Sequence, residues 1–328
     1  MFIYSFKEVL RTITHSKATC IQFLQKNGCI PTSMLCPGPV INGNRGNYCG
    51  KNMAIKKVSD RKDGLSWRCR SVHKYMKKGL EYTVKDVKVS IRQNTWLKDA
   101  NLTLEEIVEL LYLWANGFTI SEIEHELKIS HRTIVEWTMY FREACTTLVM
   151  ESGNQIGGPG VHVEIDESKF GKRKYYRGHK VEGQWVFGGR ETKDTRKVFM
   201  IPVANRKKTT LLPLIEKWIA KGSIIHSDCW KAYGDIGKMG YTHLTVNHSK
   251  EFLNKETGAC TNSIESDWRH AKVSIPRYGV HKSLHYGYLG EFMWRRKYSD
   301  EDKFITLLQH LNWAFHKGYC TSAPPSLK

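Results

Sequence analysis

The most constraining feature of this 328-residue chain is a pair of short apolar alternations that each end on an aspartate. They are Val161-His162-Val163-Glu164-Ile165-Asp166 and Ser223-Ile224-Ile225-His226-Ser227-Asp228. Short runs of β-branched residues with this spacing are what a strand with a buried face requires. Further strand patterns cover 184–191, 197–204 and 242–247, and a helix opens at Thr209-Thr210. Pro213 falls in the first turn of that helix, where a missing N–H costs little. Three consecutive strands that can pair antiparallel, followed by alternating helix and strand, predict a mixed α/β sheet. The 161–166 strand is central, so its end presents Asp166. Apolar stretches from Leu284 to Trp294 and from Phe304 to Phe315 predict two more helices covering the sheet.

A third acid lies in Thr261-Asn262-Ser263-Ile264-Glu265-Ser266-Asp267-Trp268-Arg269-His270-Ala271-Lys272. Asn262, Glu265, Arg269 and Lys272 follow helical steps and share one polar face, while Ile264, Trp268 and Ala271 can anchor the helix to a core. Two carboxylates at strand ends and one on a helix can converge on a pair of divalent cations. Such a pair stabilises both the attacking and the leaving oxygen of a phosphodiester displacement. A carboxylate at a strand end is more often a solvated turn residue, so the trio gains weight only from its surroundings. Glu167 projects to the other side of an extended strand from Asp166 and stays out of the metal shell. Cys229 has no triad around it and reads as a buried thiol. His226 and His248 read as hydrogen-bonding neighbours of the site.

The surroundings are specific. They comprise Val163-Glu164-Ile165-Asp166-Glu167-Ser168-Lys169-Phe170-Gly171-Lys172, Trp185-Val186-Phe187-Gly188-Gly189 and His226-Ser227-Asp228-Cys229-Trp230-Lys231-Ala232-Tyr233. Then follow Asn247-His248-Ser249-Lys250, Thr261-Asn262-Ser263-Ile264-Glu265-Ser266 with Trp268, and Tyr288-Leu289-Gly290-Glu291-Phe292-Met293-Trp294-Arg295. On these residues the chain resembles the Merlin superfamily of cut-and-paste DNA transposases, relatives of bacterial insertion-sequence transposases. The likeness covers roughly the last half of the chain.

The resemblance implies a ribonuclease-H-like DDE domain over 160–320, with Asp166, Asp228 and Glu265 as catalytic residues and metal ligands. It implies Mg²⁺, for which Mn²⁺ can substitute, and a DNA transposase that cuts element ends and joins the freed 3′-hydroxyls to target DNA. Terminal inverted repeats and target DNA would be its partners, a homodimer or higher oligomer its working form, and the nucleus its compartment. Asn262 competes with Glu265 for the third ligand position, and a charged oxygen favours Glu265. Two alternatives stand beside this reading. One is a ribonuclease-H-like nuclease without strand transfer. The other is a transposon-derived DNA-binding protein with catalysis lost, which the intact acids oppose and which Cys260, standing where the family usually has His, supports.

Charge agrees with a polyanionic partner. Lys and Arg number 51 against 32 acidic residues, a net charge of +19. Between Lys51 and Trp96 there are 13 basic and 4 acidic residues, and between Lys169 and Lys197 there are 10 and 3. The second cluster delivers Lys172, Arg173 and Lys174 beside Asp166, with Tyr175, Tyr176 and Trp185 interleaved, as a surface that binds backbone and stacks on bases would need. Lys272 and Arg269 are the phosphate-holding candidates on the Glu265 helix.

Residues 1–99 form a basic N-terminal DNA-binding region, with a hairpin signal at Asp63-Gly64. Cys29, Cys36, Cys49, Cys69 and His73 can supply Zn²⁺ ligands. No CxxC knuckle is present, and Pro39 stands where the resembling proteins carry the second thiolate of a zinc ribbon. A working ribbon and a degenerate one without metal both remain open. Residues 100–150 read as a helix-turn-helix-like module. Thr103 with Glu106 caps its first helix, Ser121 with Glu124 opens the second, and His131, Arg132 and Thr133 start the third. Eight acidic against three basic residues from Leu102 to Ala144 give equal weight to a packing or dimer-contact bundle. The Gly-rich stretch from Gly153 to Gly160 reads as a boundary. No apolar run is long enough to span a membrane, the first residues lack a secretory pattern, and nine scattered cysteines fit reduced thiols.

Overall fold

The computed structural model describes residues 4–41, 44–45, 49–77, 80–151, 155–171, 183–247, 254, 257–276 and 280–320. The chain divides into two units, Met1–Phe141 with Asp302–Lys328, and Arg142–Glu301. No described helix is long and apolar enough to cross a membrane.

In the first unit, β1 (Ala54–Lys57), β2 (Leu65–Lys77) and β3 (Leu80–Ser90) form an antiparallel sheet in that order. The turn between β1 and β2 contains Asp63-Gly64, as the sequence predicts, with Gly64 at φ +69°. Asp63 does more than turn the chain. Its carboxylate accepts from Arg92 Nε at 2.8 Å, and Arg92 Nη1 reaches the carbonyls of Ala100 and Leu102, each at 2.9 Å. A buried charge pair survives only when its remaining donors are satisfied in this way.

Helix α1 (Lys17–Lys26) precedes this sheet, and α2 (Leu104–Ala115), α3 (Ile120–Leu127) and α4 (His131–Glu151) follow it, with α4 belonging to the second unit from Arg142 on. The Thr103/Glu106 capping box is present. The second helix starts earlier than expected, on a capping box of Thr119 with Glu122. The sequence holds the cap pattern twice, two residues out of phase, and the earlier one lengthens a helix of only eight residues. The helix Lys303–His316 does not behave as a cover for the catalytic-half sheet. Its Phe304 stacks on Phe23 at 5.7 Å and meets Tyr112 at 5.4 Å, so it completes the aromatic core of the first unit.

The second unit is built on a mixed five-stranded sheet. Its strands are β4 (His162–Phe170), β5 (Gln184–Glu191), β6 (Val198–Val203), β7 (Ile224–Asp228) and β8 (Thr242–Val246), in the order β8-β7-β4-β5-β6. β5 pairs antiparallel with β4 and β6, whereas β7 runs parallel to both β4 and β8. The strand carrying Asp166 is central, as predicted. However, Asp166 does not end it. Pairing with β5 continues to Phe170↔Gln184, so Asp166 sits mid-strand. The helices are α5 (Lys208–Trp218), α6 (Asn262–Ser274) and α7 (His285–Lys297). The fully buried Asp267 of α6 is bridged by Arg190 of β5 and Arg296 of α7, which ties sheet and helices together at one buried charge.

Candidate active site

Alternation puts Glu164, Asp166 and Ser168 on one face of β4, and α6 is moored to that face at three successive points. Glu164 accepts from the backbone N–H groups of Ser263 and Ile264 at 2.8 and 3.0 Å. Asp166 Oδ2 accepts from Trp268 Nε1 at 2.9 Å, and Ser168 Oγ accepts from Lys272 Nζ at 2.6 Å. Two strand residues advance about 6.6 Å and four helix residues about 6 Å, so strand steps of two match helix steps of four. Thr261, the N-cap of α6, offers no side-chain cap, and the buried carboxylate of Glu164 does that work from the sheet.

Gly188 makes the middle contact possible. It pairs with Asp166 across β4 and β5, and a Cβ there would lie 2.6 Å from the Trp268 ring. The missing side chain is therefore the space that the indole occupies.

The three predicted acids come together. Burial, opposed by the Trp268 hydrogen bond, pushes the Asp166 carboxyl up to about 6, and the charges of Asp228 and Glu265 add to that rise. Asp228 ends β7, where the backbone N–H of Trp230 donates to its Oδ1 at 2.9 Å. Glu265 lies in the first turn of α6 and accepts from Thr261 Oγ1 at 3.3 Å. Mutual repulsion among half-buried carboxylates is what a cation relieves, so the donor set fits hard divalent metal ions. Asn262 is exposed one turn before Glu265, with Arg269 and Lys272 exposed further along the same helix.

Several neighbours carry roles that the sequence reading missed. Glu167 faces away from α6, as expected, yet it is not a bystander. Its side chain is buried, accepts from the Tyr233 hydroxyl and lies 3.9 Å from Arg206. Burial pushes it up to about 7, and the charges of Asp166 and Asp228 contribute. A strand read in isolation gives no sign of this partner set. His226 bonds His162 at 2.7 Å and accepts from the Cys260 backbone N–H, consistent with a supporting neighbour. Burial, with the nearby charges of His162 and His243, lowers it to about 4 and keeps it neutral. The Cys260 thiol points to Glu164 at 3.7 Å. Cys229 is exposed rather than buried, because the chain leaves the sheet immediately after Asp228.

Lys172, Arg173, Lys174, Tyr175, Tyr176 and His248 lie outside the described residues. Arg132 belongs to the first unit, where it is exposed and paired with Glu136 at 3.1 Å.

The first unit holds a second cluster. The ligand atoms of Cys36, Cys49, Cys69 and His73 all lie within 4.8 Å of one another. The Cys49 and Cys69 sulfurs are 4.0 Å apart, and Cys36 Sγ is 3.3 Å from His73 Nε2. A tetrahedral zinc site with metal–sulfur bonds of about 2.3 Å has sulfur–sulfur edges of about 3.8 Å, so the set is compatible with Zn²⁺. His73 Nδ1 meets the Val84 carbonyl at 3.3 Å, the outer contact that fixes a ligating imidazole. Of the five sequence candidates, Cys29 is left out, buried elsewhere against the Leu308 carbonyl. Cys49, rather than a residue near Pro39, stands fourth in this set, and no local spacing rule marks it for that place.

Comparisons with known proteins converge on one family. The ISXO2-like transposase domain matches residues 155–297. A protein of Haemophilus influenzae described as an uncharacterized transposase-like protein is 31% identical over 116 residues, covering 35% of this chain and 93% of that protein. Male abnormal protein mab-31 of Caenorhabditis elegans is 26% identical over 170 residues, 49% of this chain but only 36% of the nematode protein. A pre-cleavage Mos1 transpososome aligns over 62% of this chain and 78% of its own at 8% identity, with a TM-score of 0.17 that carries no argument. The matched domain contains all three acids, the bacterial relative is covered almost end to end, and the chain belongs to the ISXO2-like DDE transposases.

Proposed function

We propose that this protein is an active DNA transposase that cuts element ends and joins the freed 3′-hydroxyls to target DNA. The observation that carries this reading is the convergence of Asp166, Asp228 and Glu265, from two parallel strands and one helix, closely enough for the latter two to raise the first. The strand order, with three antiparallel strands followed by parallel ones, supports a ribonuclease-H-like catalytic domain that begins near residue 160, and the unit that carries it ends at Glu301 rather than at the expected 320.

Asp166, Asp228 and Glu265 would hold the divalent ions, Mg²⁺ or Mn²⁺. Bound there, the ions supply Lewis acidity toward the oxygens that attack and leave the phosphorus. The chain's own residues do the rest. Trp268 orients one oxygen of Asp166 and leaves the other to the site. Lys272 and Arg269 lie exposed on α6 to hold backbone phosphates, and the sequence offers Lys172, Arg173 and Lys174 as further phosphate-binding candidates.

Residues 1–99 bind DNA, with Zn²⁺ in the Cys36, Cys49, Cys69 and His73 set holding the sheet. Lys51, Lys56, Arg68 and Arg70 line an open groove of about 440 Å³ beside Cys69, a fit for phosphates. Residues 100–150 act as a helix-turn-helix-like module with Arg132 at the start of its third helix. A homodimer or higher assembly working in the nucleus completes the reading.

The test uses the full-length protein with a DNA duplex bearing the element's terminal repeats and Mg²⁺. Asp166→Asn and Asp228→Asn are expected to abolish cleavage while retaining DNA binding. Cleavage at a near-normal rate by either variant would rule out the assignment. Joined products separate a transposase from a nuclease without strand transfer.

A further inference from the structure

Beside Asp228 stands a stack of alternating cations and indoles. Lys169 of β4 and Trp185 of β5 are register partners, and the Lys169 ammonium lies 5.5 Å from the Trp185 ring centre. The Arg206 guanidinium lies 4.2 Å from the Trp185 ring and 4.6 Å from that of Trp230. Trp230 is anchored at two further points. Its indole N–H donates to the Arg206 carbonyl at 3.2 Å, and its backbone N–H donates to Asp228 Oδ1 at 2.9 Å. Arg206 is itself held by the buried Glu167. Despite these anchors, Trp230 remains 39% exposed.

An exposed large indole, locked in orientation one step from a carboxylate of the site, is unusual unless something covers it. The cations of its stack, Arg206 and Lys169, disfavour a basic partner and favour a polyanion. A rigid aromatic ring loses little freedom on binding, and every nucleobase offers a π-face regardless of sequence. A base within a duplex has both faces covered, so only an unpaired one can lie on the ring.

We propose that Trp230 is a stacking site for one unpaired DNA base beside the Asp166, Asp228 and Glu265 site. The stack Lys169, Trp185, Arg206 and Trp230 presets the ring, and its cations face the backbone of the same nucleotide. The inference rests on the DNA-cleaving reading above for its substrate and names the nucleotide conformation that the site selects. Sequence reading pointed to Tyr175, Tyr176 and Trp185 as the base-stacking aromatics, and of these the described residues include Trp185. Arg206 lies against that ring, and Trp230 is the indole left open.

The test is a forked DNA duplex with 2-aminopurine as the first unpaired base, bound to full-length protein in EDTA. With the wild-type chain, 2-aminopurine emission is expected to fall on binding. Trp230→Ala should lose that change and bind the fork about 5- to 150-fold more weakly, the range that loss of one base–aromatic stack produces. Trp230→Phe should retain most of both. A blunt duplex should bind wild type and Trp230→Ala within about twofold, which also reports that the variant is folded. A fall in emission on binding Trp230→Ala as large as that with the wild type, or equal weakening for fork and blunt duplex, overturns the proposal. The fluorescence is read without metal. Failure of the metal-site reading therefore appears in the cleavage of Asp166→Asn, and failure of the stack appears here.

Discussion

Trp268 Nε1 donates to Asp166 Oδ2 at 2.9 Å, so a buried indole fixes how the central carboxylate of the site faces. Trp268→Phe keeps the ring beside Gly188 and removes only the donor. Hydrogen bonds to charged groups contribute about 1.5–3 kcal/mol. Since that bond opposes the rise of the Asp166 carboxyl, its loss is expected to push Asp166 above about 6. Cleavage in Trp268→Phe should need more Mg²⁺ and a higher pH, with affinity for DNA unchanged. A wild-type Mg²⁺ dependence would show that the indole merely packs. Gly188→Ala should fail differently, because its Cβ displaces the ring and overpacking costs about 1–3 kcal/mol, seen directly as a lower melting temperature.

Glu164 is expected to set the position of Glu265 through the N-terminus of α6. Glu164→Gln keeps an oxygen for the Ser263 and Ile264 N–H groups but loses the charge that faces the helix dipole. Glu164→Ala leaves two N–H groups at the α6 N-terminus without their acceptor and should destabilise by about 2–5 kcal/mol. Cleavage should fall modestly in the Gln variant and severely in the Ala variant. Measuring Mn²⁺ binding to both folded variants separates positioning from simple loss of fold. If Glu164→Ala binds Mn²⁺ as tightly as wild type, Glu164 does not govern the site.

Much of this architecture is legible in the residues, and the exceptions have physical reasons. Asp166, Asp228 and Glu265 can be assigned to strands and a helix because those periods are local, but the motifs around them are what single them out as a trio. The central place of β4 follows from the order of elements. By contrast, the mid-strand position of Asp166 depends on how far β5 continues to pair, which Ser168 and Lys169 do not advertise. Trp268 reads as an apolar anchor because its polar N–H matters only when Asp166 lies opposite. Cys49 is among the five candidate ligands in the sequence, but which four of the five gather depends on folding that brings residues 36, 49, 69 and 73 together and leaves Cys29 aside. Phe304 reads as part of a sheet-covering helix until Phe23 and Tyr112 are seen around it.

That cluster is open to direct measurement. If Zn²⁺ occupies Cys36, Cys49, Cys69 and His73, the purified protein should carry one equivalent. Cys49→Ser is expected to lose it and to lower the melting temperature of the first unit, because a structural zinc site contributes folding energy outright. Cys29→Ser should keep full occupancy, its thiol lying elsewhere. Metal analysis by atomic emission settles the matter. Equal zinc content in wild type and Cys49→Ser would remove Cys49 from the ligand set.

The buried carboxyl of Glu167 predicts how stability depends on pH. Burial and the charges of Asp166 and Asp228 raise it from 4.5 to about 7, against the hydrogen bond from Tyr233. A folded pKa above the unfolded one means that the folded chain binds more protons between those values. The stability contributed by this group is therefore full below about 4.5 and is lost as pH rises through about 7. Asp166 follows the same sign with a lower midpoint, about 6. Metal-free protein should accordingly melt at progressively lower temperature as pH rises from about 6.5 to about 8, above the range in which the depressed His226 opposes the trend. Glu167→Gln keeps an oxygen for Tyr233 and carries no charge, so it should flatten the upper part of that decline and leave the part due to Asp166. Adding Mg²⁺ to the wild type should restore stability at pH about 8, because cations bound to the ionised acids reverse the repulsion. A melting temperature in Glu167→Gln that falls as steeply as in wild type between pH about 6.5 and about 8 would show that Glu167 is already ionised without cost, and that the acids around it are held apart by something other than a cation.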